Sequence, residues 1–164
     1  MCGLWEHLRE AEDVSMYMEA VTEDNLDKAA YIHATAWRES HRDICSEAFI
    51  AEHTTQRQIG YLRHAIHQGK RFFMLTDDVP VAIVSVDGNI IADLYVHPDH
   101  QRRGYGTKML EYAMSKCASY PMLWVLNTNQ GALRLYERLG FHKSGKIKEL
   151  KNGLFEIEMV YKKG

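Results

Sequence analysis

Residues 97–110 read HPDHQRRGYGTKML. The run before them, IIADLYV (90–96), is apolar enough for a strand that Pro98 ends. From Thr107 onward, apolar residues recur at Met109/Leu110, Ala113/Met114 and Cys117, the spacing of a helix. A strand, a glycine-bearing turn and a helix therefore stand in sequence. Three chemistries use such a turn: a metal, a nucleic-acid backbone or a phosphate-bearing cofactor.

A metal needs three or four ligands. His97 and His100 are interrupted by Pro98, no thiolate is near, and Asp99 alone does not complete a set. No metal site is expected. A nucleic acid needs a basic face, whereas 20 Lys and Arg stand against 22 Asp and Glu, a net charge of −2. The phosphate reading has a mechanism. Glycines let the backbone approach a ligand, the helix start offers unpaired N–H groups and a partial positive charge, and Arg102 and Arg103 add cationic donors. The Walker pattern GxxxxGK[ST] is absent. A glycine turn that merely reverses the chain, flanked by solvated arginines, fits the same spacing.

Outward from this unit the pattern is mixed. Residues 16–21 read as a strand, 22–37 and 54–68 as helices. FFMLT (72–76), VAIVSV (81–86) and IIADLYV (90–96) read as a meander turned at DDVP and at Asp87-Gly88-Asn89. MLWVL (122–126) reads as a buried strand, 130–139 as a helix ended by Gly140, and 141–150 and 154–162 as strands joined at Asn152-Gly153. The class is α+β. The 164 residues, 46% hydrophobic and 26% charged, suit one domain over 1–164, with 1–14 as a partly helical lead-in. Cys2, Cys45 and Cys117 are few, scattered and odd in number, which fits a reducing, cytoplasmic setting. The charged first residues do not read as a leader, and no run of about 18 apolar residues suggests a membrane span.

Gln101-Arg102-Arg103-Gly104-Tyr105-Gly106 resembles the Q/R-x-x-G-x-G/A signature of the GCN5-related N-acetyltransferases, following a strand that ends Leu94-Tyr95-Val96-His97-Pro98. Independently, LWVLNTNQGALRLYERLGF (123–141) resembles the next strand and helix of that superfamily. The resemblance implies the GNAT fold: a central, mostly antiparallel mixed sheet flanked by helices and splayed between its fourth and fifth strands.

It also implies roles. Acetyl-CoA would be the co-substrate, with no metal. Gln101, Arg102, Arg103, Gly104, Tyr105, Gly106 and Thr107 would bind its pyrophosphate, chiefly through backbone N–H groups. The main chain of Leu94, Tyr95 and Val96 would pair with the pantetheine arm and polarise the thioester carbonyl. Asn129 would contact the arm, although it also suits a helix N-cap. Tyr136 would protonate the leaving thiolate, although it also lies on the helix's apolar stripe. Many members carry a glutamate base where this chain has Ile90. Asp93 is the nearest carboxylate, His97 is a second candidate, and a water chain or an amine arriving neutral serves equally. The acceptor would be a primary amine of a small molecule or peptide. Its surroundings would be 33–60 and 143–155, where Trp37, His41, Asp43, Glu47 and Phe49 could cup a cation. The rival is a non-catalytic acyl-CoA-binding regulatory module. Nucleic acid and membrane are not expected partners, and the resemblance is compatible with a monomer or a homodimer.

Overall fold

The computed structural model describes residues 16–162 except 152. The lead-in at 1–14, Cys2 and Asn152 lie outside the described residues. In chain order the elements are β1 (Met16–Ala20), α1 (Leu26–Ser40), α2 (Glu47–Ala51), α3 (Thr55–His67), β2 (Arg71–Asp77), β3 (Val79–Asp87) and β4 (Ile90–Val96). A single 3-10 turn (Pro98–His100), α4 (Tyr105–Lys116), β5 (Met122–Leu126), α5 (Gln130–Arg138), β6 (Phe141–Glu149) and β7 (Phe155–Tyr161) complete it.

The strands form one sheet in the order β1-β2-β3-β4-β5-β7-β6. Every neighbouring pair is antiparallel except β4–β5. That parallel pair holds only at Ile90↔Met122 and Ile91↔Leu123. Beyond Ile91 the two strands part, so the sheet is splayed between its fourth and fifth strands, as the GNAT resemblance implies.

Helices on both faces explain why the central strands read as continuous apolar runs. On one face Phe73, Leu75, Val84, Ile91 and Leu123 pack with Met109 and Leu110 of α4 and Leu133 of α5. On the other, Phe72, Met74 and Ile83 pack with Leu26, Ala29 and Ile32 of α1 and Leu62 of α3. Ile32, Leu62 and Met74 are fully buried; each contributes about 1.5–3 kcal/mol relative to exposure.

Four boundaries depart from the sequence reading. Helix α1 runs to Ser40 rather than Trp37. The β2–β3 connection is tighter than a DDVP loop: Asp77 pairs with Val79 around Asp78 at φ 60°, and Pro80 falls where the register shifts, a place where its missing N–H is tolerated. Helix α4 starts at Tyr105, two residues before Thr107, because Gly104 at φ 81° takes the cap position. The five-residue α2, capped by Ser46, is too short to show a helical period.

Candidate active site

The turn from β4 to α4 is built by two left-handed residues, Arg102 (φ 65°) and Gly104 (φ 81°). Gly104 is the N-cap of α4 and supplies no side-chain acceptor, so the first helical N–H groups remain open, and Lys108 N is the one that bonds back to Gly104 O. Arg102 and Arg103 are exposed beside it. An anion at this point meets unpaired donors, the positive end of a twelve-residue helix and two guanidinium groups. Tyr105 contributes only its main chain. Its side chain is buried, and its hydroxyl donates to Asp77 Oδ2 at the end of β2, which pins the turn to the sheet. Gln101 is exposed, and its Nε2 donates to Val96 O at 3.2 Å.

The splay lies next to this turn. His97 N donates to Val81 O, and Tyr95 pairs with Ile83. Hydrogen-bonding direction alternates along a strand, so Leu94 and Val96 turn their main-chain groups away from β3, toward the gap left by β5. Gly106 closes the corner: a Cβ there would lie 3.6 Å from Leu135 and 3.8 Å from Val96. Anion cradle and open strand edge are therefore contiguous. Ile90 sits at the other, paired end of β4.

Within β4 one extra residue enters the β3 register between Ala92 and Tyr95. Asp93 lies in this bulge with φ 49°, a conformation rare outside glycine, asparagine and aspartate. The bulge redirects its side chain inward. Its carboxylate accepts from Ser85 Oγ (2.8 Å), Lys70 Nζ (3.1 Å), His33 Nε2 (3.2 Å) and the Tyr61 hydroxyl (3.2 Å). Four other segments thus converge on one largely buried carboxylate. Burial pushes its pKa up. The His33 hydrogen bond, the Lys70 charge and the Ser85 hydroxyl outweigh burial and hold it well below the usual carboxylate range. A carboxylate so stabilised is a poor proton acceptor, and four donors already occupy it. His97, the second candidate, accepts from Asp99 N through Nδ1 and caps the 3-10 turn.

Tyr136 lies on the buried face of α5, 6.0 Å from the Phe141 ring between centroids. Among the described residues its hydroxyl makes no hydrogen bond, and burial pushes its pKa up to about 12. It therefore keeps its proton at neutral pH. Asn129 is the N-cap of α5, accepting from Ala132 N at 3.1 Å through Oδ1.

Beyond the end of β5 lies a cavity of about 670 Å³, lined by Trp37, His41, Phe49, Leu126, Leu150 and Lys151 among others. Trp37 is stacked between His41 (centroids 4.0 Å apart) and His53 (3.5 Å), with Phe49 edge-on. Burial lowers the His41 pKa, which favours the neutral ring against the indole. Of the residues expected to cup a cation, Trp37, His41 and Phe49 line this cavity; Asp43 and Glu47 face solvent. Its wall is aromatic and apolar, with Lys151 the charged group among the described lining residues. No three His, Cys, Asp or Glu side chains among the described residues could hold a metal. No described helix is long and apolar enough to cross a membrane.

The model of the Acetyltransferase (GNAT) family matches residues 5–141. The chain belongs to that family. It is 34% identical over 84 residues to an uncharacterized N-acetyltransferase of Methanocaldococcus jannaschii, a match covering 42% of this chain and 37% of that one. It is 32% identical over 91 residues to the ribosomal protein bS18 alanine N-acetyltransferase of Escherichia coli, covering 49% and 62%. It is 37% identical over 60 residues to the mycothiol acetyltransferase of Saccharomonospora viridis, covering 37% and 19%. The chain thus spans less than two thirds of the length of each of these relatives. In fold it is similar to a GNAT-family acetyltransferase from Bacillus cereus (TM-score 0.68, 21% identity, covering 91% of this chain and 98% of that one). The same holds for the paiA N-acetyltransferase of Thermoplasma acidophilum in complex with coenzyme A (TM-score 0.65, 16% identity, 90% and 99%).

For a GNAT chain, the residues that sequence reasoning missed are those gathered on Asp93: His33, Tyr61, Lys70 and Ser85. They come from α1, α3, the segment before β2, and β3. His33 lies on the buried stripe of α1 with Ala29, Ala30, Ile32 and Ala36. A histidine on an otherwise apolar stripe was the one available signal.

Proposed function

We propose that this chain transfers the acetyl group of acetyl-CoA directly to a primary amine of a small molecule or peptide. The observation that carries the reading is the join between the splayed edge of β4 and the uncapped start of α4. The edge suits the amide-bearing pantetheine arm, which would pair with Leu94 and Val96 as a short added strand. The helix start suits the pyrophosphate. Acetyl-CoA would supply the activated thioester; a main-chain N–H of the open β4 edge would stabilise the oxyanion. Tyr136, protonated and unengaged, would donate to the departing thiolate. Cys117 supports direct transfer: its Sγ donates to Ala113 O and burial raises its pKa, so it is a weak nucleophile.

The cradle is tested by Gly106→Glu. An alanine Cβ would make only ordinary contacts with Leu135 and Val96, so Gly106→Ala should fold and bind. Glutamate places a carboxylate in the first turn, against the pyrophosphate. Calorimetric titration should show acetyl-CoA affinity reduced tenfold or more, about 1.4 kcal/mol. Unchanged affinity would remove the helix start from the site.

The aromatic cavity supports an acceptor whose amine is borne on an apolar or aromatic body, because Lys151 disfavours polycations and the stacked wall offers flat apolar surface. Trp37→Ala should raise the acceptor KM by roughly 10-fold, in line with loss of an aromatic contact of about 1.5 kcal/mol, with acetyl-CoA affinity unchanged. Steady-state kinetics with each substrate varied in turn checks the split.

A further inference from the structure

Acetyl transfer to an amine releases one proton. As the cation binds and reacts, R–NH3⁺ plus acetyl-CoA gives the amide, the coenzyme A thiol and H⁺. The nitrogen gives up two protons, the thiolate takes one through Tyr136, and something must accept the other. Asp93 is unsuited, being saturated with donors and held ionised. We propose that His33 accepts this proton at Nδ1, across one water, and that Asp93 is its positioning residue. The inference rests on the acetyl-transfer reading.

Three observations carry it. First, a carboxylate only accepts, so the 3.2 Å contact requires the hydrogen on His33 Nε2. The neutral tautomer then leaves a basic lone pair on Nδ1. Second, Nδ1 is buried without a partner, on a residue only 4% exposed. Buried polar atoms ordinarily find one, and a donating water or ammonium would complete this one. Third, the ring lies 4.8 Å from the Tyr95 ring between centroids. Tyr95 sits between Leu94 and Val96, whose main chain edges the splay, so His33 packs against the side chain of the β4 residue at that edge. The carboxylate beside Nε2 fixes the tautomer and stabilises the imidazolium that forms, the same division of labour as in a Ser-His-Asp triad.

The charged and titratable groups around His33 are compatible with this. Asp93 and Tyr95 face it from β4, Tyr61 from α3 with its ring 5.5 Å away, and Lys70 from the segment before β2. His41, the C-cap residue of α1, lies farther off and feels His33 only through charge. Lys70 is already paired with Asp93 at 3.1 Å. Tyr61 and Tyr95 are both raised by burial and stay neutral.

The test is His33→Gln, which keeps a polar side chain of similar reach and removes the titrating group. With acetyl-CoA and an amine that the wild type acetylates, kcat/KM at neutral pH should fall on the order of 10²–10⁴-fold. The acidic limb of its pH profile should disappear, while acetyl-CoA affinity and melting temperature hold. A variant that is less stable yet keeps the limb and the rate has lost only a structural contact, and overturns the assignment. If the variant does not fold, ¹⁵N imidazole spectra of the wild type decide. His33 Nδ1 must titrate with the midpoint of the acidic limb; a ring that stays neutral through that limb overturns the proposal. A wild type that binds acetyl-CoA and acetylates no amine overturns the transfer reading and this one together. Transfer that is indifferent to His33 overturns this one alone.

Discussion

Tyr136→Phe lowers kcat by on the order of 10²–10⁴-fold and leaves the melting temperature and acetyl-CoA affinity where they were. The stability half of this expectation follows from the hydroxyl's surroundings. Removing a buried group usually costs about 1 kcal/mol when it breaks a hydrogen bond, but no described residue bonds to this hydroxyl. The ring, which packs near Phe141 on the buried face of α5, is retained. What the substitution removes is a proton donor held ready by burial, its pKa pushed up to about 12. The sign matters for the pH profile. Tyr136 is protonated throughout the neutral range, so an alkaline loss of activity below about pH 10 must come from another group. Kinetics and thermal unfolding on one preparation check both halves. Full turnover in the phenylalanine variant would assign the acid elsewhere.

Asp93→Ala destabilises the fold by about 3–5 kcal/mol, the range for stranding one partner of a buried pair. The carboxylate side chain is 12% exposed and its partner Lys70 22%, so the ammonium is left with little water to replace the lost charge. The donors from His33, Ser85 and Tyr61 lose their acceptor at the same time. The folded pKa is depressed relative to the unfolded value of about 3.9. The stabilisation is therefore complete above that unfolded value and fades as pH falls through the depressed one. Denaturant unfolding of wild type and variant at pH 7 should show the full gap, and the gap should narrow progressively below about pH 4. An equal gap at pH 7 and at pH 2 would mean that the carboxylate contributes by packing rather than by charge.

The turn at 101–107 was legible because its information is local. A strand ended by proline, glycine at the left-handed cap and a helical period are all visible within fourteen residues. The sheet's central strands were legible because β2 and β3 are buried on both faces and carry the apolar runs that this demands. Asp93 was legible only as the nearest carboxylate, and the cluster around it was not. Strict alternation turns it out of the cleft, and only the bulge against β3 redirects it. Its partners are 60 residues away at His33 and 32 at Tyr61, separations that no local pattern reports. The cavity beyond β5 was legible in part: Trp37, His41 and Phe49 line it as expected, whereas Asp43 and Glu47 do not. Leu150 and Lys151 fall in the expected 143–155, but Leu126, at the end of β5, lies outside both ranges and joins them only through the fold.

Direct acetyl transfer at the join between β4 and α4 is measured by thiol release. Purified protein, acetyl-CoA and a panel of primary amines, from arylalkylamines to short peptides, are incubated without metal. Coenzyme A thiol and acetylated amine should appear in equal amounts, with at least one apolar amine well above the no-amine rate. Tight binding of acetyl-CoA with thiol release at the no-amine rate across the whole panel would contradict it and leave the chain a binding module.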